Sequence, residues 1–271
     1  MKPISLLMEE LKEKGEKAFI AYITAGDPNL NSTVELVQTL SDAGTDIIEL
    51  GVPFSDPLAD GPTNQKASER ALKNGCNLGG IFEAVQEIRK RGIETPLVLF
   101  SYLNPIYKYG VERFAKRAKE VGIQSVLSVD LTPESFVNEE IKFKLACERE
   151  GIEPIFLLSP TSLKSRWEVI ESESKSFIYY VSRTGTTGAK SEISDTLVEE
   201  LKMVRKEVKK PLVVGFGISK VDQVKSLSPY CDGVIVGSAL VKELEESRTF
   251  SIAKNKIFNL ATHFKKALEK N

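Results

Sequence analysis

Residues 177–238, FIYYVSRTGTTGAKSEISDTLVEELKMVRKEVKKPLVVGFGISKVDQVKSLSPYCDGVIVGS, decide the architecture. Three short apolar runs, Phe177–Val181, Leu212–Gly215 and Gly233–Val236, read as strands. The longer charged stretches between them, Asp195–Val208 and Lys220–Leu227, carry apolar residues at helical spacing. The same alternation runs back through the chain. Further strands are expected at Ala18–Thr24, Asp46–Leu50, Leu97–Ser101, Ser125–Val129 and Pro154–Leu158. Further helices are expected at Leu30–Ala43, Gly80–Arg91, Val111–Val121, Glu134–Glu150, Leu163–Glu173 and Ser251–Lys270. Eight strand–helix units in sequence imply parallel strands joined by right-handed crossovers. A doubly wound open sheet can hold eight strands too. The count, the even spacing and the lack of a strand-order break favour closure into an α/β (β/α)8 TIM barrel.

Residues 1–17 add an amphipathic N-terminal helix, expected to cover the bottom of the barrel. Gly237-Ser238-Ala239-Leu240 opens a short extra helix before the last one, with Ser238 as its expected N-cap. The 271 residues show no linker or composition shift, so 1–271 is read as one barrel domain.

Composition narrows the function. Lys plus Arg (37) nearly balance Asp plus Glu (38), unlike the one-sided charge of a nucleic-acid or membrane-surface binder. The three cysteines, Cys76, Cys147 and Cys231, are too scattered for a disulfide framework or a metal-binding pair, which points to a reducing cytoplasm. No stretch reads as a signal peptide or a membrane span. The one histidine, His263, lies in a C-terminal helical pattern, which argues against a histidine triad or a histidine-rich metal site. Acid–base chemistry would fall to carboxylates, Lys or Tyr.

In this fold the chemistry sits in the loops that follow the strands. The loop Gly51–Gln65 (GVPFSDPLADGPTNQ) reads as a binding loop, and Ser182–Glu192 (SRTGTTGAKSE) as a mobile lid; surface insertion is the alternative for both. Glycines cluster after the last three strands, at Gly185–Gly188, Gly215–Gly217 and Gly237. They either make turns or bring backbone N–H groups to a phosphate, with the N-terminus of the short extra helix adding its positive end.

If Ile48 and Leu50 pack under the helices, Glu49 points into the barrel near the mouth. Burial would raise its pKa and suit it to proton transfer; a structural Glu bound to a base is the alternative. Asp60 is either a mouth carboxylate or a solvated turn residue. Asp56, before Pro57, reads as a turn former, and Asp130 is a third carboxylate near the mouth. Tyr22, Phe100, Tyr102, Leu127, Tyr179 and Phe216 stand at strand ends, as lining for a flat ring or as ordinary barrel core.

The run Glu49–Thr63 (ELGVPFSDPLADGPT) resembles the signature of the tryptophan synthase alpha chain. Tyr22–Pro28 (YITAGDP), Tyr102–Pro105 (YLNP), Tyr179–Gly188 (YYVSRTGTTG), Gly215–Ser219 (GFGIS) and Gly237–Val241 (GSALV) are similar to strings of that family, in order. The resemblance implies a carbon–carbon lyase of tryptophan biosynthesis that cleaves indole-3-glycerol phosphate to indole and glyceraldehyde 3-phosphate. It implies Glu49 as the acid–base group and Asp60 as holder of the indole N–H. The aromatic set above and Leu127 would surround the indole, and Gly188, Gly217, Gly237 and Ser238 would hold the phosphate. Arg183 and Thr187 would belong to the lid. The resemblance further implies no cofactor or metal in this chain, and a pyridoxal-phosphate-dependent beta chain as partner in an alpha2-beta2 tetramer. Pro53, Phe54, Asp56, Asn104 and Pro105 would lie on the contact side.

Three positions depart from the family pattern. Asn64 stands where an aliphatic residue is expected beside the pocket, Thr132 where a Pro follows Asp130, and Thr186 where the lid has Val. Other readings are a different phosphate-sugar barrel enzyme, a non-catalytic activating subunit, or a lyase that releases free indole.

Overall fold

The computed structural model describes residues 1–134, 138–182, 193–215 and 217–269. Eight parallel strands close in chain order into a barrel: β1 (Ala18–Thr24), β2 (Ile47–Gly51), β3 (Leu97–Ser101), β4 (Ser125–Ser128), β5 (Glu153–Leu158), β6 (Ile178–Val181), β7 (Leu212–Gly215) and β8 (Gly233–Val236). The helices are α1 (Ile4–Lys14), α2 (Leu30–Asp42), α3 (Pro62–Lys73), α4 (Leu78–Lys90), α5 (Leu103–Tyr109), α6 (Val111–Val121) and α7 (Asn138–Glu150). After them come α8 (Lys164–Glu173), α9 (Asp195–Glu207), α10 (Val221–Leu227), α11 (Ser238–Glu246) and α12 (Phe250–Leu268). The expected strands are all present, with ends shifted by at most one residue. Asp46 stands just before β2, and its N–H still donates to the Phe19 carbonyl at 3.0 Å. Its carboxylate accepts the Phe19 N–H at 2.7 Å and pairs with Lys265 of α12 at 2.8 Å.

The strands are apolar on both faces because both faces are covered. Phe19, Ala21, Ile48, Leu50, Leu97 and Leu99 face outward into the layer beneath the helices. Ile20, Tyr22, Ile47, Val98, Phe100 and Leu127 face inward. The register carries this alternation around the barrel, with Tyr22 beside Glu49, Glu49 beside Val98, and Val98 beside Ser125.

Helix α1 closes the bottom, as its pattern predicts. Ile4, Met8 and Leu11 form one stripe and join the inward-facing cluster. Gly15, left-handed at φ 69°, ends the helix and donates to Leu11 and Lys12 carbonyls. Ser5 N–H donates to Glu153 at the start of β5 at 3.1 Å, tying the plug to the wall.

Three local readings needed correction. Residues 62–73, in part read as loop, form α3, which Pro62 opens at a position where a missing N–H costs nothing. Residues 103–109 form α5, where Pro105 is accommodated in the first turn for the same reason. Ser238 is not the N-cap of α11. Gly237 holds that position, without a side-chain cap bond, and Ser238 is the first helical residue. A Cβ on Gly237 would lie 3.1 Å from the Tyr22 ring, so the barrel wall favours glycine there. Asn77 accepts the Gly80 N–H at 3.1 Å and starts α4 at Leu78, two residues before the expected start.

All three cysteines are buried and free. His263 is exposed on α12. Among the described residues no helix is long and apolar enough to cross a membrane, and no cluster of His, Cys, Asp and Glu could hold a metal ion.

Candidate active site

A cavity of about 330 Å³ opens where the strands end. Its floor and walls are Tyr22 of β1, Phe100 of β3, Tyr179 of β6 and Ile235 of β8. The segment Leu58–Gly61 and the first turn of α3 close one side, and Gly217, Ile218, Gly237 and Ser238 the other. Tyr22 meets Phe100 edge-on, with ring centres 5.4 Å apart. Two strand-end glycines make room for the two tyrosines. A Cβ on Gly51 would lie 2.6 Å from Cζ of Tyr22, and one on Gly215 would lie 2.6 Å from Cζ of Tyr179.

Glu49 points inward from β2 and is 0% exposed. Among the described residues neither carboxylate oxygen has a hydrogen-bond partner and no base stands against it, so the reading of a structural ion pair is not met there. Burial alone pushes its pKa up to about 8. The side chain is therefore mostly protonated at neutral pH, and an unanchored carboxyl is free to turn. It lies in the interior layer beside Tyr22 and beneath the cavity; it is not itself part of the lining.

Asp60 lines the cavity from the loop before α3. Tyr102 donates its hydroxyl to Asp60 Oδ2 at 3.0 Å and in turn accepts the Ala59 N–H at 2.9 Å. Gln65 donates to the Asp60 carbonyl at 2.8 Å, and the Asp60 N–H donates to Pro57 at 3.0 Å. These bonds fold the loop back on itself and aim the carboxylate. Burial raises the Asp60 pKa, and hydrogen bonds from Tyr102 and Asn64 oppose that rise. Burial, then the Asp60 charge, push the phenols of Tyr22 and Tyr102 up, and burial does the same for Tyr179. All three stay protonated, and Tyr102 is the one that donates to Asp60.

Two expected wall residues stand elsewhere. The Tyr102 ring packs on Phe54, 5.0 Å between centres, leaving its hydroxyl for Asp60. Leu127 is 0% exposed in the barrel interior, below the cavity. Asp130 supports the mouth: Oδ1 accepts the Leu103 N–H at the start of α5 and the Ser128 hydroxyl, both at 2.8 Å. Phe216, Gly188, Arg183 and Thr187 lie outside the described residues.

At the far side of the cavity Gly217, with φ 76°, and Gly237 flank the N-terminus of α11. The first N–H groups of a helix have no partner within it and carry its positive end, so this corner suits an anion. Asn64 lines the cavity, at the position expected beside the pocket, and Ile218 and Ile235, which were not among the expected contacts, line it too. Nothing in the sequence marks Ile235 as different from its core neighbours. Asn64 was visible only as a polar residue in an apolar place.

The chain matches the family model described as "Tryptophan synthase alpha chain" over residues 8–269. It belongs to the tryptophan synthase alpha-chain family. The alpha chain of Geotalea uraniireducens is 48% identical over 248 residues, 92% of this chain and 91% of that one. The alpha chain of Polynucleobacter necessarius is 43% identical over 247 residues, covering 91% and 92%. The solved tryptophan synthase alpha subunit of Legionella pneumophila superposes with a TM-score of 0.89 at 35% identity, covering 99% and 98% of the two chains. A Pyrococcus furiosus chain from a structure of the tryptophan synthase a2b2 complex gives 0.83 at 39% identity, covering 92% and 98%.

In this tryptophan synthase alpha-type barrel, a second groove of about 420 Å³ adjoins the mouth. Pro53, Phe54, Asn104 and Pro105 line it together with Leu72 and Tyr109. Asp56 is exposed nearby, outside that lining.

Proposed function

We propose that this chain cleaves indole-3-glycerol phosphate to indole and glyceraldehyde 3-phosphate. The supporting observation is a buried Glu49, without a partner among the described residues, beneath a cavity walled by aromatic rings that has a fixed carboxylate at one side and a helix N-terminus at the other. In this reading the indole ring lies among Tyr22, Phe100 and Tyr179, and Ile235 takes the share of the wall expected of Leu127. The phosphate sits against Gly217, Gly237 and Ser238, with Gly188 and Phe216 completing the two ends.

Cleavage needs a proton placed on the ring carbon bearing the glycerol chain and another removed from the adjacent hydroxyl. Asp60 accepts the indole N–H and stabilises the positive charge that develops on the ring when that carbon is protonated. Glu49 starts as the acid and gives its proton to the carbon. As carboxylate it then takes the hydroxyl proton. The carbon–carbon bond breaks, the aldehyde forms, and the bonding electrons return to the ring as indole. Glu49 ends protonated, ready for the next turnover. To do this its side chain must swing up past Tyr22 into the cavity. Arg183 and Thr187 are assigned to a lid that excludes water.

The same reading makes the chain a cytoplasmic lyase without a cofactor of its own. It hands indole to a pyridoxal-phosphate-dependent beta chain in an alpha2-beta2 tetramer, with the groove of Pro53, Phe54, Asn104 and Pro105, and nearby Asp56, on the contact side. The test is indole release from indole-3-glycerol phosphate, with and without a beta chain. Slow release alone, faster release in the complex, and none with Glu49→Gln are expected. Activity retained by Glu49→Gln would remove Glu49 from its role. Turnover of a sugar phosphate in place of the indole compound would overturn the reaction itself.

A further inference from the structure

Glu49 and Gly51 share the inner face of β2, because positions two apart in a strand point the same way. The strands end at the mouth, so Gly51 stands one inward place above Glu49, about 6.6 Å further along the strand. Gly51 has no side chain to fill that place, and the phenol of Tyr22 fills it. A Cβ on Gly51 would lie 2.2 Å from the Tyr22 hydroxyl oxygen, and one on Gly237 would lie 3.1 Å from Cδ1 of the same ring. The ring thus reaches from the end of β8 across β1 to β2 and sets its oxygen on the route from Glu49 to the cavity. The register agrees, with Tyr22 beside Glu49 and Thr24 beside Gly51.

Among the described residues the Tyr22 hydroxyl has one hydrogen-bond contact, to Thr24 Oγ1 at 3.4 Å. A good O–H···O bond closes to about 2.7–2.8 Å, so the phenol has most of its bonding capacity in hand. Both oxygens of Glu49 are buried without a partner among the described residues. An underused donor and an unpaired acceptor therefore face the same path on neighbouring strands.

We propose that Tyr22 is a positioning residue for the acid–base step: when Glu49 swings up to the substrate, the Tyr22 hydroxyl donates a hydrogen bond to its carboxyl and holds it there. The inference rests on the reaction proposed above. Tyr22 keeps its own proton throughout, because burial and then the Asp60 charge push its pKa up. A donor favours the charged form of a carboxyl, so the bond strengthens as Glu49 gives its proton to the ring carbon. The phenol is well placed to act without moving, since its ring is braced edge-on by Phe100.

The other described groups around Glu49 leave this role to Tyr22. Tyr102 spends its hydroxyl on Asp60, and Asp60 is itself an acceptor. Tyr179 faces Glu49 from β6, across the barrel, with its oxygen 2.4 Å from the place of a Cβ on Gly215. From below, α1 presents only Ile4, Met8 and Leu11 to the interior.

Tyr22→Phe removes the oxygen and keeps the ring. Carbon NMR of the full-length chain, labelled at the glutamate carboxyls, follows Glu49 directly; its signal is the one missing from Glu49→Gln. Titrations are compared without ligand and with saturating indole-3-propanol phosphate, which keeps the ring and phosphate but lacks the hydroxyl that cleavage deprotonates. Without ligand, Glu49 should titrate alike in wild type and Tyr22→Phe, because no bond joins the two side chains in the structure. With ligand, Glu49 should titrate higher in the variant by about half a unit or more. On indole-3-glycerol phosphate, kcat should fall about tenfold or more while KM changes less than about threefold, and the basic limb of kcat should move to higher pH. A ring that only packs would leave the liganded titration unmoved. That result, or an equal shift with and without ligand, would overturn the proposal. If wild-type chain with a beta chain releases no indole, the reaction is refuted, while the liganded titration still decides whether Tyr22 holds Glu49.

Discussion

Tyr102 donates a hydrogen bond from its hydroxyl to Asp60 at 3.0 Å while accepting one from the backbone N–H of Ala59 at 2.9 Å, so one phenol both orients a carboxylate and pins the loop that carries it. Tyr102→Phe keeps the ring on Phe54 and deletes only that relay. Asp60 loses a donor that lowers its pKa. The acidic limb of the kcat/KM profile should therefore move to higher pH, and activity at pH 7 should fall by about tenfold or less. Stability should drop by about 1 kcal/mol at most. A pH–rate profile with a melting curve checks both.

Glu49 should make the protein less stable as pH rises. Its folded pKa of about 8 lies above the ordinary value of 4.5, so across that interval the folded state holds a proton that the unfolded state has lost. Stability is then full below pH 4.5 as far as this group is concerned, falls between 4.5 and 8, and levels off above. Glu49→Gln removes the dependence. At pH 8 the variant should be more stable than wild type by an amount on the order of 2–4 kcal/mol, while indole release is lost. Chemical denaturation of both proteins at pH 5 and pH 8 measures it. A gap of the same size at both pH values would contradict the buried, protonated state.

Gly51→Ala should be disruptive in proportion to Tyr22. The new methyl meets the Tyr22 ring, 2.6 Å from Cζ. Overpacking of this kind costs about 1–3 kcal/mol and would push the ring into the cavity. Combining it with Tyr22→Leu should recover part of the stability lost to Gly51→Ala, a coupling that a double-mutant cycle in urea reads directly.

Asp27, 1% exposed, is gripped by Arg70 of α3 through two bonds of 2.9 and 2.8 Å. This clamp fixes the helix that follows Asp60 to the loop after β1. Arg70→Ala strands a buried carboxylate, and with Arg70 itself 31% exposed a cost of about 1–3 kcal/mol is expected, below that of a fully buried pair. The same variant should raise KM more than it lowers kcat, because it loosens the wall and leaves the reacting groups in place. Steady-state kinetics with denaturant titration test it.

The inward aim of Glu49 was legible as one of two choices, because alternation in a strand is a rigid rule and Glu49 turns inward if Ile48 and Leu50 face the helices. The barrel followed from eight repeats of one pattern, each reinforcing the rest. What escaped were features set by neighbours distant in sequence. The start of α3 hid inside a proline-rich string whose turn signals outweighed the helix formers after Pro62. Tyr102 read as ring lining because nothing local reveals that Phe54 would take its face and Asp60 its hydroxyl. Ser238 looked like a cap, yet the nearness of Tyr22 left the capping position to Gly237. Leu127 faces inward as read but is fully buried outside the cavity lining, since a strand pattern gives the side a residue faces and not its exposure.

The plug at the foot of the barrel has a bearing on the acid above it. Ile4, Met8 and Leu11 belong to the same unbroken greasy column that reaches Tyr22 and surrounds Glu49. Were that stopper pulled, solvent would climb the column from below, hydrate the carboxyl and return it to an ordinary acidity. Met8, which is not part of the cavity lining, thus helps to keep the Glu49 carboxyl dry.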